Sequence, residues 1–107
     1  MTPTLYTIVG MGHAAAVEFV RALPHGEQLD LRREPGNPFD GNAISIYARG
    51  RRVGYVRHEQ NQALAAMLDR GDKLVATLHR KTPERWPHVS VQSENLSNES
   101  KKEGGLK

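Results

Sequence analysis

The segment from Arg33 to Ile44 constrains the fold of this chain more than any other part of the sequence. It reads R-E-P-G-N-P-F-D-G-N-A-I and lies between two strand-like runs, 29–33 and 43–48. Each proline fixes its own φ and disfavours a helical conformation in the residue before it, while the two glycines can adopt the positive φ of tight turns. The segment is therefore predicted to be a rigid loop. It would present an amide, an aromatic ring and a carboxylate, at Asn37, Phe39 and Asp40, to a small polar ligand or a chain end.

Length and composition predict one small globular domain, because the 107 residues are 37% hydrophobic and 25% charged. The chain contains no cysteine, which removes disulfides, thiolate nucleophiles and cysteine-based zinc sites. Its five histidines lack the close spacing of metal ligands, so neither a metal nor a cofactor is expected. No apolar run is long enough to span a membrane and no signal peptide is recognisable, so we expect an intracellular protein, cytoplasmic or associated with the nucleoid.

The positive charge is concentrated in the middle of the sequence. The formal net charge is +3, but residues 32–57 contain six arginines against two acidic residues. Arg49, Arg51 and Arg52 flank a predicted hairpin turn at Gly50, where they either keep the surface soluble or bind phosphate groups. Their proximity to the loop favours phosphate binding.

A dinucleotide-binding pattern near the start of the chain has a simpler interpretation. A strand at 5–9 is followed by G-M-G-H-A-A and a helix predicted over 14–23, which matches G-x-G-x-x-A. A dinucleotide-binding unit needs a crossover helix after its second strand, whereas this chain enters the proline-rich loop there. The alternative is that Gly10 and Gly12 only turn the chain into the helix.

Alternation and turn residues predict a mainly β fold, of α+β type, with six short strands and two helices. The predicted strands cover 5–9, 29–33, 43–48, 53–56, 73–80 and 88–92, and the second helix covers 58–70. Short, hairpin-linked strands favour a small barrel over a layered α/β sheet. Residues 1–93 are predicted to form the domain, and residues 94–107, which are almost free of apolar groups, a disordered polar tail.

Three motifs in this order resemble the HIRAN domain. They are L-R-R-E-P-G-N-P-F-D-G-N-A-I-S-I-Y, then R-R-V-G-Y-V-R-H-E, then A-L-A-A-M-L-D-R-G-D. The resemblance implies a six-stranded barrel related to the OB-fold, with two helices, that binds DNA and captures the 3′-hydroxyl end of a single strand. It also implies a non-catalytic module, since the chain lacks both the phosphate-binding G-x-x-x-x-G-K-[ST] loop and zinc-binding cysteines.

The resemblance places Asn37, Phe39 and Asp40 at the terminal nucleotide. Further candidate DNA-binding residues follow along the strand: Tyr55, Arg57 and His58. Phe39 stands where the family often has tyrosine, and His58 where it usually has lysine or arginine.

Physical chemistry suggests a role for each group. Aromatic rings stack on bases, which assigns Phe39 and Tyr55, while arginines bind phosphates. The candidate phosphate-binding residues are Arg32, Arg33, Arg51, Arg52 and Arg57. Asp40 would accept a hydrogen bond from the terminal hydroxyl and repel a further phosphate. The alternative is that Asp40 only caps the turn at Gly41 and Asn42.

Other classes of function stay open on the sequence alone. The barrel surface with Trp86, as a lid or an exposed anchor, would suit a protein-interaction module. A metal-dependent hydrolase or nuclease would need Asp30, Glu34, Asp40 and His58 to meet, although no dense acidic cluster is present. The expected partners are single-stranded DNA or DNA 3′ ends, with a DNA-repair or remodelling protein as a further candidate.

Overall fold

A computed structural model of the chain describes residues 3–12, 14–80 and 86–94. Within these residues, strands β1 (Thr4–Val9), β2 (Gln28–Arg33), β3 (Ile44–Ala48), β4 (Arg51–Val56), β5 (Leu74–His79) and β6 (His88–Ser93) form the sheet. The helices are α1 (Ala14–Ala22) and α2 (Gln62–Asp69), and a 3₁₀ turn at His58–Gln60 precedes α2.

The strands close into a barrel in the order β1-β4-β3-β2-β5-β6, and β6 pairs back with β1. Every strand pair is antiparallel. The predicted six-stranded barrel with two helices is therefore confirmed. An antiparallel barrel has no parallel βαβ crossover, so it is not the dinucleotide-binding fold, and Gly10 and Gly12 adopt φ of +74° and +69° as turn residues.

Alternate residues of each strand fill the barrel. Ile8, Ile44, Ile46, Leu78 and Val89 are almost completely buried. Helix α1 packs on β4 and contributes Val20 to the core, and α2 packs on β2 and contributes Leu64. The second helix was predicted to begin at His58, but a 3₁₀ turn occupies 58–60 and α2 starts only after Asn61, whose side chain bonds to another segment.

Two turns have the geometry that their residues predict. The β3–β4 hairpin turns through Arg49 and Gly50, both with positive φ, which matches the twist of antiparallel strands. Gly71, with φ of +87°, follows the C-cap of α2, and the amides of Gly71 and Asp72 donate to the carbonyls of Leu68 and Met67.

The last described residue, Glu94, is still bonded to the domain. The amide of Glu94 donates to the carbonyl of Lys73 at 2.8 Å, and the rest of the predicted tail lies outside the described residues, as do His13 and most of the predicted loop at 82–87. None of the helices in the described ranges has the length and apolar character needed to cross a membrane.

Candidate nucleic-acid interface

The side chain of Asn37 holds the proline-rich loop in shape. Its Oδ1 accepts hydrogen bonds from the amides of Phe39 and Asp40, at 2.9 and 3.1 Å. Its Nδ2 donates to Glu34 Oε1 at 3.1 Å. All these partners belong to the loop itself, so Asn37 builds the loop that carries Phe39 rather than pointing freely at a ligand.

The carboxylate of Asp40 joins the loop to the segment before α2. Oδ1 accepts the amide of Asn42 at 2.9 Å, which is the turn-capping contact considered above. Oδ2 lies 2.9 Å from His58 Nδ1 and accepts a hydrogen bond from Asn61 Nδ2 at 2.8 Å. Hydrogen bonds from His58, the Asn42 amide and Asn61 lower the pKa of Asp40 to about 2, so it is ionised at neutral pH.

The same contact changes the charge expected for His58. At its reference pKa this residue would be mostly neutral at pH 7. The hydrogen bond and the negative charge of Asp40 raise the pKa of His58, although its side chain is 72% exposed. His58 therefore keeps its positive charge to a higher pH than a free histidine does.

Phe39 projects into solvent beside a cleft. It is 94% exposed, more than any other large hydrophobic residue in the described ranges. The cleft has a volume of about 400 Å³, and its walls are the loop on one side and the ends of β1 and β4 on the other. Five of the candidate residues from the sequence line this cleft: Asn37, Phe39, Asp40, Tyr55 and His58.

Tyr55 forms the opposite wall of the cleft and is fixed at its hydroxyl. The hydroxyl lies 3.1 Å from Glu34 Oε1, to which it donates, and it accepts a hydrogen bond from Arg52 Nη1 at 3.1 Å. Partial burial and the bond to Glu34 raise the pKa of Tyr55, so the phenol stays protonated. Gly10 lies against the ring, since a Cβ atom there would be 3.4 Å from Tyr55 Cδ1.

Glu34 was not predicted to position the site. It bonds both to Asn37 in the loop and to Tyr55 in β4, so one carboxylate connects the two walls of the cleft. Hydrogen bonds, the strongest from Asn37, lower the pKa of Glu34. The residue belongs to the R-E-P motif, but its link to Tyr55 spans 21 positions and has no local sequence signal.

Arg33 faces away from the cleft. Its guanidinium binds Asp69 of α2 at 2.8 and 3.2 Å and donates to the carbonyls of Ala43 and Gly41, at 2.8 and 3.0 Å. The side chain is only 13% exposed. Its hydrogen-bonding capacity is used to fasten the base of the loop to α2.

Two further arginines lie apart from the cleft walls. The Arg51 guanidinium stacks on Phe19 of α1, 4.5 Å from the ring centroid. Arg57 pairs with Glu59 at 3.2 Å, and both side chains are exposed. An exposed pair of this kind contributes little to stability, so Arg57 can exchange Glu59 for a phosphate group.

The remaining two arginines lie on the same surface as Tyr55. Arg52 donates to the Tyr55 hydroxyl, and its guanidinium carbon is 5.4 Å from the centroid of that ring. Arg32 stacks on Tyr47 at 3.7 Å. Of the five candidate phosphate-binding arginines, the structure thus brings only Arg32 and Arg52 to the surface that carries Tyr55.

The acidic residues do not converge on a metal position. In the described part of the chain, no three histidine or carboxylate side chains are grouped so that they could hold a metal ion. Glu34 binds Asn37 and Tyr55, Asp40 binds His58 and Asn61, and Asp30 pairs with an exposed arginine.

Trp86 lies at the end of β1. Its Nε1 donates to the carbonyl of Ile8 at 2.9 Å, and the residue is 41% exposed. The indole is therefore fixed to the barrel at its polar end and accessible over part of its ring. The bond to Ile8 is the feature expected of a lid, and the partial exposure is the feature expected of an anchor.

Fold and site together define a small OB-like barrel with a rigid loop beside a surface cleft. The family model described as "HIRAN domain" matches residues 4–97, and the chain belongs to the HIRAN domain family.

Three relatives illustrate the similarity. The helicase-like transcription factor of Oryctolagus cuniculus is 37% identical over 60 residues, or 54% of this chain. A crystal structure of a Lactobacillus plantarum protein has a TM-score of 0.70 and 27% identity, covering 84% of this chain and 90% of that one. The crystal structure of the HIRAN domain of human HLTF has a TM-score of 0.62 and 21% identity over 88% of this chain and 78% of that one, which shows the shared fold. The chain spans about 6% of the rabbit transcription factor.

Proposed function

We propose that this domain binds single-stranded DNA without catalysing a reaction, and that its cleft receives the 3′-hydroxyl end. The observation that carries the proposal is Phe39, which is 94% exposed at the lip of a cleft whose other wall contains Tyr55. A large exposed ring on a rigid loop costs the fold hydrophobic burial and provides a stacking surface for a base. The chain belongs to the HIRAN family, and its resemblance to that family implies DNA binding, which supports the choice of ligand.

In this proposal the cleft walls position the terminal nucleotide. The base stacks against Phe39 and the ring of Tyr55, and the phosphate before it lies near Arg52, which adjoins Tyr55. The 3′-hydroxyl donates to Asp40, whose carboxylate is 19% exposed beside His58. Each carboxylate oxygen can accept more than one hydrogen bond, so the internal bonds of Asp40 leave capacity for the hydroxyl.

Charge provides the selection for a free end. A phosphate on the 3′ position would approach the ionised Asp40 and be repelled. Protonated His58 would offset that repulsion, because it lies 2.9 Å from Asp40 Oδ2. We therefore expect the preference for 3′-hydroxyl over 3′-phosphate strands to be stronger at pH 8 than at pH 6, where more of His58 is charged.

Testing end selection through the ligand avoids disturbing Asp40. In an Asp40→Asn variant, the side-chain NH2 group would face either Asn61 Nδ2 or the backbone amide of Asn42. Both of these groups are donors, so the substitution would alter the loop as well as the charge. Fluorescence-anisotropy titrations should instead compare one short strand carrying a 3′-hydroxyl, a 3′-phosphate or, as the charge-matched control, a 5′-phosphate. Equal affinity for the first two ligands at pH 8 contradicts end selection.

The stacking role is tested by Phe39→Ala. We expect binding to weaken by about 1 to 3 kcal/mol, roughly 5- to 150-fold, with an unchanged unfolding temperature because the ring is exposed. Leu5→Ala is the matched control, since Leu5 is an exposed apolar residue of β1 that does not line the cleft. A Phe39→Ala variant that binds DNA like wild type contradicts the proposal.

A protein-interaction role has one specific observation in its favour, which is the accessible apolar surface around β1. Leu5, Val9 and Trp86 are 44%, 36% and 41% exposed. If a protein is the ligand, wild type will bind neither single strands nor duplexes in the titrations above. Salt separates the cases further, because affinity for a single strand falls with a log-log slope of about −0.7 per phosphate contacted.

A further inference from the structure

Four side chains from three neighbouring strands form a row on the outside of the barrel. The row consists of Arg32 of β2, Tyr47 of β3, and Arg52 and Tyr55 of β4, and we call it the outer row. The Arg32 guanidinium lies 3.7 Å from the Tyr47 ring centroid. Tyr47 is the ladder partner of Arg52, which in turn bonds to Tyr55. The row therefore alternates cation and aromatic ring from β2 to the wall of the cleft.

Strand alternation puts these residues on the outside. Ile44, Ile46 and Ala48 of β3 face the core, with exposures of 0 to 1%, so Tyr47 between them faces outward. In β2, Leu29 is buried, whereas Asp30 and Arg32 are exposed. The outward direction follows from the core pattern, but the lateral order of the row depends on which strands pair.

The fold itself gains little from the polar end of this row. The Arg32 side chain is 51% exposed and forms an ion pair at 3.4 Å with Asp30, whose side chain is 71% exposed. Exposed pairs of this length contribute at most about 1 kcal/mol to stability. In contrast, arginines interleaved with aromatic rings are the arrangement that binds single-stranded nucleic acid, with phosphates on the cations and bases on the planar groups.

We propose that the outer row is a second binding segment for single-stranded DNA, which receives the nucleotides that precede the terminal one. The Arg32–Tyr47 stack supplies the surface for a base two or three nucleotides before the terminal one, and Arg52 contacts a phosphate between that base and the cleft. The inference rests on the proposed function, because it needs a strand whose end already lies beside Tyr55. The path crosses two strand spacings, about 10 Å in total, which predicts a site of about four nucleotides, at the low end for an OB-like barrel.

Substitution of Asp30 is expected to strengthen DNA binding, whereas substitution of Arg32 or Tyr47 is expected to weaken it. Its carboxylate pairs with Arg32 and lies opposite Tyr47 in the β2–β3 ladder, so it competes with a phosphate for Arg32. Removing its charge should tighten binding of strands long enough to reach Arg32. A dinucleotide, which is too short to reach Arg32, should bind with unchanged affinity.

The experiment compares thymidine oligonucleotides of two and six nucleotides, both with a free 3′-hydroxyl, on the whole protein. Wild type should bind the longer strand more tightly. Tyr47→Ala and Arg32→Ala should each weaken the longer strand by about 5- to 100-fold and change dinucleotide affinity by less than about twofold. Asp30→Asn should strengthen only the longer strand. Arg70→Ala is the charge-matched control, since Arg70 is an exposed arginine paired with Asp72 away from the row.

Every outcome of this experiment either supports or contradicts binding at the outer row. If the dinucleotide binds with 3′-hydroxyl preference but length adds no affinity, or Tyr47→Ala weakens both lengths equally, the outer row is not a binding segment while the cleft proposal stands. If wild type binds neither length, both proposals fail. If Tyr47→Ala unfolds the domain, the other two variants test the proposal, because Arg32 and Asp30 are both exposed. Arg32→Ala must then weaken binding of the longer strand and Asp30→Asn must strengthen it.

Discussion

Replacing Arg33 with alanine is expected to destabilise the domain strongly, whereas the same change at the adjacent Arg32 is not. Arg33 is 13% exposed and bonds to Asp69 and to the carbonyls of Ala43 and Gly41. The pair with the half-exposed Asp69 contributes at most about 1 kcal/mol, and each carbonyl bond about 0.5 to 1.5 kcal/mol. Together these contacts stabilise the fold by about 1 to 4 kcal/mol, which corresponds to a fall in unfolding temperature of roughly 5 to 30 °C for a domain of this size.

The assay is urea and thermal unfolding followed by circular dichroism, with Arg33→Lys as a second variant. Lysine keeps the charge but cannot reproduce a planar group that reaches a carboxylate and two carbonyls at once, so it should lose most of the same stability. The free energy of unfolding of Arg32→Ala should lie within about 0.5 kcal/mol of wild type, because Arg32 is exposed and pairs with the exposed Asp30. If Arg33→Ala is as stable as wild type and instead loses affinity for oligonucleotides, the structural role assigned to Arg33 is wrong.

Three further predictions concern stability. Gly54→Ala should cost about 1 to 3 kcal/mol in urea unfolding, since its Cβ would lie 2.7 Å from the backbone oxygen of Val9, and a stability equal to wild type would contradict this close approach. The His58–Asp40 pair should stabilise the domain fully below about pH 6.5, the pKa of histidine in the unfolded chain, and less as pH rises through the raised pKa of His58 in the folded state. Urea unfolding of wild type and His58→Gln at pH 6 and pH 8 tests this, because the variant should lose the pH dependence. The same pair loses its contribution in acid as pH falls toward the Asp40 pKa of about 2. Deleting residues 98–107, the part of the predicted tail beyond the family match, should leave the unfolding temperature unchanged, and a clear fall would show that this part packs on the domain.

Sequence patterns were sufficient for the strands, because alternation is a local property that burial on one face of a sheet enforces. Leu29, Ile44 and Ile46 alternate with more polar residues in the predicted strands, and all three are buried in the core. Turn chemistry was equally local: the hairpin turn predicted at Gly50 is present, and α2 ends before Gly71, one residue short of the predicted end at position 70. The boundary at His58 was wrong because residues 58–60 form a 3₁₀ turn; the partly buried bond from Asn61 to Asp40, 21 positions away, has no local sequence signal.

What the sequence alone determined is the set of elements, the rigid loop and the residues that it carries. The tertiary structure decided which polar groups are available to a ligand. Arg32 and Arg33 are identical in chemistry and adjacent in the chain, yet one lies on the outer surface and the other binds Asp69, 36 positions away. Asn37 and Asp40 are likewise occupied by partners inside the domain, while Phe39 between them is exposed. The physical reason is that apolar burial follows local periodicity, whereas a charged or polar side chain takes its role from whichever partners the closed barrel brings within hydrogen-bonding distance.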